Sequence, residues 1–426
     1  MESGDGWIVR VQPARRHLST DDVRSLARLA RVYGNGQLEL TRRANLQIRG
    51  VTVEALPALQ TELVHLRLAE ATPEQERSAS LLVNPLSDLD PECAILGPLA
   101  EELDRVLASV DAPRNLPPKF CIVLDGGGSA VSRLSADIRV DLRRDEEGVA
   151  YVSVGSRDNC FVPIGSCLAT AAPLAVLALM QTLSSFQAEG CPRMRDVVAI
   201  HGTEVVRASV APLLLDTRRA PPARSRASVI GFQTGSRNWV GLALPFGSGD
   251  ARQWNAIAEI AERFGCGQIR LTPNRSVVIP DVKAEEIDDL LSVARDHGLI
   301  FEESDPLLRV SACVGAPACH ASFSETRTLG RELSDLVRPL LAVGATVHIS
   351  GCSKSCALTG SASVTLVHDQ GGCRLGLDKD VAETSGSNTM SVPTARRRLA
   401  VIAREFVDAA AGRDVSQFLR SYTALV

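Results

Sequence analysis

An α+β / α/β fold built by tandem duplication is what this sequence predicts, and three observations predict it. The 426 residues are 45% hydrophobic, enough to bury more than one core. Strand-like and helix-like stretches follow one another from the first residues onward. One passage also occurs twice. Tyr33-Gly-Asn-Gly-Gln-Leu-Glu-Leu-Thr matches Phe264-Gly-Cys-Gly-Gln-Ile-Arg-Leu-Thr without a gap, 231 positions apart (264 − 33). The register continues with Ile48 over Ile279, Val51 over Val282, Glu54 over Glu285, Leu59 over Leu290 and Leu68 over Leu299. A match of this length implies two copies of about 230 residues each.

Within the first copy, residues 7–12 (WIVRVQ) read as a strand. Ser19 then caps a helix whose apolar positions Val23, Leu26, Leu29 and Ala30 recur at helical spacing. Tyr33-Gly-Asn-Gly ends it, strands follow at 37–41 and 45–50, and a second helix spans Val53 to Leu66. That β-α-β-β-α order is the ferredoxin-like pattern. The expected organisation is therefore a ferredoxin-like half-domain at 1–70, a larger α/β domain at 77–215, a Pro/Arg-rich linker at 216–228, a second ferredoxin-like half-domain at 229–300 and a second α/β domain at 308–426. The uncharged stretch Phe161 to Leu183 reads as a turn and then a short buried helix, because Pro163, Gly165, Ser166 and Pro173 interrupt it. Asp125-Gly-Gly-Gly-Ser lacks both phosphate-loop spacings and reads as a flexible turn. A Ser/Thr/Gly-rich loop at 384–391 precedes a last helical pattern from Pro393.

Net charge is −4 with no basic tract, which argues against nucleic acid as a partner. The start has no positive n-region or apolar h-region, so a cytoplasmic protein with no membrane segment is expected. Eleven cysteines then point to free thiols or metal ligands. Four of them stand out: Cys313 and Cys319 as C-x5-C, and Cys352 and Cys356 as C-x3-C after a gap of 32 residues. Gly315, Pro317, Ser350 and Gly351 crowd them into tight turns. Four thiolates from two such turns are what an iron–sulfur cubane requires, one per iron. Structural zinc favours shorter hooks than C-x5-C. Cys93, Cys160, Cys167, Cys191, Cys266 and Cys373 have no shared spacing and read as small buried apolar groups. The seven histidines are scattered and read as structural.

With the duplication and the C-x5-C…C-x3-C motif, nearly the whole chain resembles the sirohaem-dependent sulfite and nitrite reductases. In that family the four cysteines hold a [4Fe–4S] cluster, and the last, here Cys356, also lies against the tetrapyrrole. The resemblance implies a ring of residues for a carboxylate-rich macrocycle. The first-strand arginine falls on Arg10. The T-x-R-x-x-x-Q run falls on Thr41, Arg43 and Gln47, with Asn45 and Arg49 on the same strand face. The arginine ahead of Asn84-Pro85 falls on Arg77, and the first residue of a Lys-x-Lys pair on Lys119. Arg10, Arg77 and Lys119 would be catalytic, and Thr41, Arg43, Asn45, Gln47 and Arg49 would bind the tetrapyrrole. The second lysine is replaced by Cys121, and Glu39 stands where the reductases place another arginine. Both changes weaken an oxyanion-reducing site.

LTRRANLQIRG, LPPKFCIVLDGGG and SGCSKSCA look closer to a shorter branch, the precorrin-3B synthases of aerobic cobalamin biosynthesis. That resemblance implies O2-dependent hydroxylation of precorrin-3A at C20, with an acetate side chain closing to a γ-lactone. It implies a [4Fe–4S] cluster and a mononuclear non-haem iron, with sirohaem present only if the chain is a sulfite or nitrite reductase. No dinucleotide-binding turn is apparent, so electrons are expected from a separate NAD(P)H-using reductase. A monomer is expected, the second copy replacing a partner subunit.

Overall fold

The computed structural model describes residues 1–69, 79–127, 131, 134–157, 160–216, 229–409 and 414–422. Arg77, part of the Gly-rich turn and linker residues 217–228 lie outside the described residues.

The first copy opens with β1 (Glu2–Ser3), β2 (Gly6–Val11), β3 (His17–Ser19) and α1 (Thr20–Tyr33), followed by β4 (Gln37–Leu40), β5 (Leu46–Val51) and α2 (Leu56–His65). Ser19 caps α1 as expected. Its hydroxyl accepts the Asp22 N–H at 3.1 Å, and the Asp22 carboxylate accepts the Ser19 N–H at 2.8 Å. The second helix begins three residues later than its pattern suggests, because residues 52–55 form a turn closed on Thr52 and Pro57 opens the helix.

Still in the first copy, β6 (Ser80–Val83), β7 (Cys121–Asp125), β8 (Ile138–Leu142), β9 (Val149–Gly155), β10 (Phe161–Leu168) and β11 (Leu214–Asp216) intervene before the pattern returns in the second. It returns as β12 (Gly231–Gln233), β13 (Trp239–Ala243), β14 (Ser248–Asp250), a helix Ala251–Phe264, β15 (Gln268–Leu271), β16 (Ser276–Pro280) and a helix Ile287–Asp296. The two ferredoxin-like units interlock. β3 pairs with β15 of the other copy, Leu18 opposite Ile269, and β14 pairs with β4, Gly249 opposite Leu38. One edge of each sheet is thus covered by a strand from its counterpart. Helix α1 packs on Ala251–Phe264, and the Trp254 indole N–H donates to the Leu38 carbonyl at 3.3 Å. One hydrophobic core, from Val11 and Leu26 to Ile257 and Ile279, runs through both units.

The duplication also extends into the α/β segments. β6, β7 and β8 run parallel and β9 to β11 antiparallel. β17 (Val310–Ala312), β18 (Val347–Ser350) and β19 (Ala362–Asp369) are likewise parallel, with β20 (Gly372–Lys379) and β21 (Thr389–Met390) antiparallel. Each sheet has its own core. Two expectations change. Phe161–Leu168 is a full strand, not a turn: its register shifts between Pro163 and Gly165, so the breaker residues make a bulge inside the ladder. The helix behind it, Ala172–Phe186, is buried through Ala175, Val176, Leu179 and Leu183. Cys160 and Cys266 are exposed at turn ends, whereas Cys93, Cys167, Cys191 and Cys373 are buried.

Candidate active site

Cys313 follows β17 and Cys352 follows β18, so two parallel neighbours deliver both cysteine loops at their carboxyl ends. The loops are stitched together. Gly351 N–H donates to Cys313 Sγ at 3.3 Å, and Phe323 N–H to the Gly351 carbonyl at 2.9 Å. The Thr326 hydroxyl donates to the Cys313 carbonyl at 2.7 Å. A Cβ on Gly351 would overlap the Ser322 side chain, so the glycine lets the two loops meet without displacing it. Burial pushes the Cys356 thiol up, and Cys352, Cys313 and Cys319 push it the same way. The four sulfurs therefore share one electrostatic neighbourhood. Among the described residues no three His, Cys, Asp or Glu side chains form a group suited to one ion. Four thiols spread over two loops fit a cubane, which takes one thiolate at each iron. Among the described residues no ligand set suits a mononuclear iron.

The first sheet presents a polar face toward these loops. Arg10, Gln47 and Glu39 lie opposite one another across β2, β5 and β4. Asn45 and Arg49 flank Gln47 on the same face, while Leu46 and Ile48 point into the core. The Thr41 hydroxyl accepts the N–H groups of Arg43 and Asn45 and shapes the β4–β5 turn, with Ala44 at φ 53°. Neighbouring arginines leave that turn in opposite directions. Arg42 Nη1 donates to Thr359 Oγ1 at 3.3 Å, just past Cys356, and Arg43 Nη1 to the Lys119 carbonyl at 2.7 Å. The Lys119 side chain is exposed. Asn45 Oδ1 is buried with no hydrogen-bond donor among the described residues.

Arg49 does not face a ligand. It is 3% exposed and holds Asp5 through Nε at 3.0 Å and Nη2 at 2.8 Å, Glu39 at 3.3 Å and the Ala318 carbonyl at 3.2 Å. Each of its three nitrogens bonds protein, which corrects its assignment to tetrapyrrole binding. Ser3 Oγ at 2.6 Å and Gly4 N–H at 3.0 Å share the same Ala318 carbonyl, so the N-terminal residues strap down the first cysteine loop. Glu39 also lies 2.7 Å from Arg327 Nη1, in ion-pair contact without hydrogen-bond alignment. Cys121 is 1% exposed, its thiol pushed up by burial. It lies against Arg43, Arg16 and Arg193 rather than opening to solvent.

Sequence reasoning passed over several cations that the structure brings here. Arg275 Nη2 donates to the Ala357 carbonyl at 3.2 Å, so the β15–β16 turn grips the Cys352–Cys356 loop opposite Arg42. Burial lowers Arg275 to about 10. Arg16 is buried, donates to the Arg43 carbonyl at 3.2 Å, and is also lowered to about 10 by burial. His348 on β18 is fully buried with neither ring nitrogen bonded among the described residues, held neutral by burial and by Arg42 and Arg275, at about 4. Arg193 bonds Asp137 through two nitrogens at 2.8 and 2.6 Å, and Arg195 lines the cavity beside it. The consecutive arginines of LTRRAN were the one available signal, since a tight turn sends neighbours to opposite sides. Nothing in the local sequence marked Arg193 or Arg327.

The model of the nitrite/sulfite reductase ferredoxin-like half domain matches residues 1–66 and 231–296. A precorrin-3B synthase from Sinorhizobium sp is 30% identical over 86% of this chain and 78% of its own length. A ferredoxin-type sulfite reductase from Mycolicibacterium paratuberculosis is 26% identical over 82% of this chain and 68% of its own length. The solved structure of the Mycobacterium tuberculosis NirA protein superposes with a TM-score of 0.76 at 21% identity, over 97% of this chain and 83% of that one, and so supports the fold. By the duplicated half-domain and the 30% relative together, the chain belongs to the nitrite/sulfite reductase family, in its precorrin-3B synthase branch.

Proposed function

We propose that this oxidoreductase is an iron–sulfur monooxygenase of the precorrin-3B synthase type. It would hydroxylate precorrin-3A at C20 with O2 and close an acetate side chain to a γ-lactone. One oxygen atom enters the macrocycle and the other leaves as water, so two electrons and two protons are needed. A separate NAD(P)H-dependent reductase would supply the electrons, in the cytoplasm.

The observation that carries this reading is the cationic wall that runs from the first sheet to the first α/β segment. Arg10, Arg43 and Arg195 have no carboxylate in ion-pair contact among the described residues, and Asp137 is occupied by Arg193. Such a wall suits a ligand with several carboxylates. By contrast, the positions that the reductases use for a small oxyanion hold Glu39, neutralised by Arg49 and Arg327, and the buried thiol of Cys121. Cys313, Cys319, Cys352 and Cys356 would hold a [4Fe–4S] cluster, which supplies one-electron transfer when bound. Thr41 fixes the turn from which Arg43 reaches toward the ligand, Gln47 offers its amide from the same face, and Arg10 adds charge beside it. Lys119, on the exposed rim, would hold or deliver a proton.

The test is turnover of precorrin-3A under 18O2 with a reductase and NADH. One labelled oxygen in the product, with an absorption shoulder near 400 nm and no sharp haem bands, is the expected result. Sirohaem bands and sulfite or nitrite reduction would replace this reading. Turnover with NADH alone would remove the partner reductase from it.

A further inference from the structure

Beside the Cys352–Cys356 loop the charges do not cancel. Arg327 and Arg49 share Glu39, and Arg49 also holds Asp5, so these cations and carboxylates balance one another. Arg42 and Arg275 are left over. Neither has a carboxylate in ion-pair contact among the described residues, and each meets the loop through a neutral oxygen, Thr359 Oγ1 at 3.3 Å for Arg42 and the Ala357 carbonyl at 3.2 Å for Arg275. His348, within the field of both, is neutral and adds no charge.

The fold makes particular room for Arg275. Its backbone lies in the left-handed region at φ 59°, where Ala44 lies in the first copy (44 + 231). A Cβ on Gly247 would crowd Arg275 Cβ and Cδ at 2.8 Å, so Gly247 leaves space for the arginine's stem. The Phe246 carbonyl accepts from Nη1 at 3.4 Å, which aims the guanidinium between two carbonyls. Burial lowers this guanidinium and Cys313, on the other cysteine loop, acts in the opposite sense, so Arg275 is within electrostatic reach of both loops.

We propose that Arg275, assisted by Arg42, is the counter-charge of the iron–sulfur cluster and sets how readily the cluster accepts an electron. The inference rests on the cluster reading above. Four thiolates outweigh the charge of the core, and one electron from the partner reductase, itself oxidised by one electron, makes the group more negative by one unit. Cations beside a partly buried group are weakly screened and favour the more negative state. Arg275 and Arg42 are positioning residues in this role; they touch the loop and not the macrocycle.

The experiment is a redox titration of the full chain with its cluster reconstituted and no tetrapyrrole added, followed by electron paramagnetic resonance of the reduced state. Arg275→Gln should weaken the hold on the added electron about tenfold, moving the midpoint about 59 mV more negative for a one-electron couple. Arg275→Lys keeps the charge, loses the planar fork and should return most of that shift. Arg42→Gln should move the midpoint the same way by less, because its contact with Thr359 is exposed. Iron and sulfide per chain should match wild type in all of them. A midpoint unmoved in both Gln variants, or as low in Arg275→Lys as in Arg275→Gln, overturns the counter-charge role and leaves the cluster reading standing. If Arg275→Gln holds no iron, Arg42→Gln carries the test on the same terms. A wild-type chain that takes up no iron and sulfide overturns the cluster reading and this inference together.

Discussion

The loops that follow β6 and β7 in the first copy are built like those that follow β17 and β18 in the second. Asn84 N–H donates to the Leu124 carbonyl at 2.9 Å, as Cys313 N–H does to Ile349 at 3.4 Å. Ala94 N–H donates to the Gly126 carbonyl at 2.8 Å, as Phe323 N–H does to Gly351 at 2.9 Å. Within that shared frame the contents differ. In the first copy the Asn84 amide donates to Asp125 at 2.8 Å and to the Gly127 carbonyl at 2.6 Å, and Asp125 pairs with Arg139, which also pairs with Asp141. In the second copy the equivalent place holds the cysteines. The facing sheets diverge in the same sense. Arg270, where the first copy has Glu39 (39 + 231 = 270), reaches the Pro85 and Ser87 carbonyls at 2.9 Å each, and Leu86 and Leu89 pack on Trp239 and Val278. One frame is filled with protein and the other with thiols under a polar sheet face. Function therefore resides in the filling, since the frame occurs twice.

The largest expected effect separates the two fillings. Cys352→Ser should abolish the shoulder near 400 nm, lower iron per chain and bring turnover to background, because a cubane is left with three thiolates. Asp125→Ala should instead leave iron content unchanged and lower stability. Removing one partner of a buried pair costs about 3–5 kcal/mol, and the remaining Asp141 places this case near the lower end. Iron and sulfide analysis beside urea unfolding distinguishes the outcomes. Loss of the cluster in Asp125→Ala would mean that the first-copy network is no mere filling.

A smaller effect concerns the strap. Arg49 joins Asp5, Glu39 and Ala318, and its counterpart in the second copy is Pro280 (49 + 231), which joins nothing of the kind. Arg49→Met leaves Asp5 without a cation, with the Asn35 amide still bonded to it, while Glu39 keeps Arg327, so a loss of about 2–3 kcal/mol is expected, within the range for a broken charged hydrogen-bond pair. The first cysteine loop should loosen, and a chelator should strip iron faster than from wild type. Unchanged stripping would show that the Ala318 contacts do not steady the loop.

Much of the frame was legible in the sequence because it is written in period and punctuation. Ser19 ahead of a helical apolar pattern announced a capped helix, and the Gly-x-Gly turns aligned the copies. The strand exchange was not legible: β3 and β14 are three residues each, too short for any pattern, and their partners are chosen by tertiary packing. The cysteine site was legible because its spacing is local. The charge network was not, because a guanidinium reaches far beyond its neighbours in sequence. Arg49 looked like Arg43 from the strand pattern, and only Asp5 and Glu39 on either side turn it inward.

The smallest effect is a pH dependence confined to one of the exchanged strands. His17 on β3 lies opposite Arg270, and its counterpart on β14 is Ser248 (17 + 231), which does not titrate. Burial lowers the His17 imidazole from 6.5 to about 4, with Arg270 and Arg15 acting the same way and Asp88 opposing them. A base whose pKa is depressed by folding binds fewer protons in the native than in the unfolded chain. Its contribution is therefore whole above about pH 6.5 and is lost as pH falls toward about 4. One proton sets the steepest slope at about 1.4 kcal/mol per pH unit. His17→Gln should flatten the stability profile across that window and leave it unchanged above it, as followed by urea unfolding between pH 4 and pH 8. A profile equally steep in His17→Gln would place the acid sensitivity elsewhere, and the two exchanged strands would then be equivalent in this respect as well.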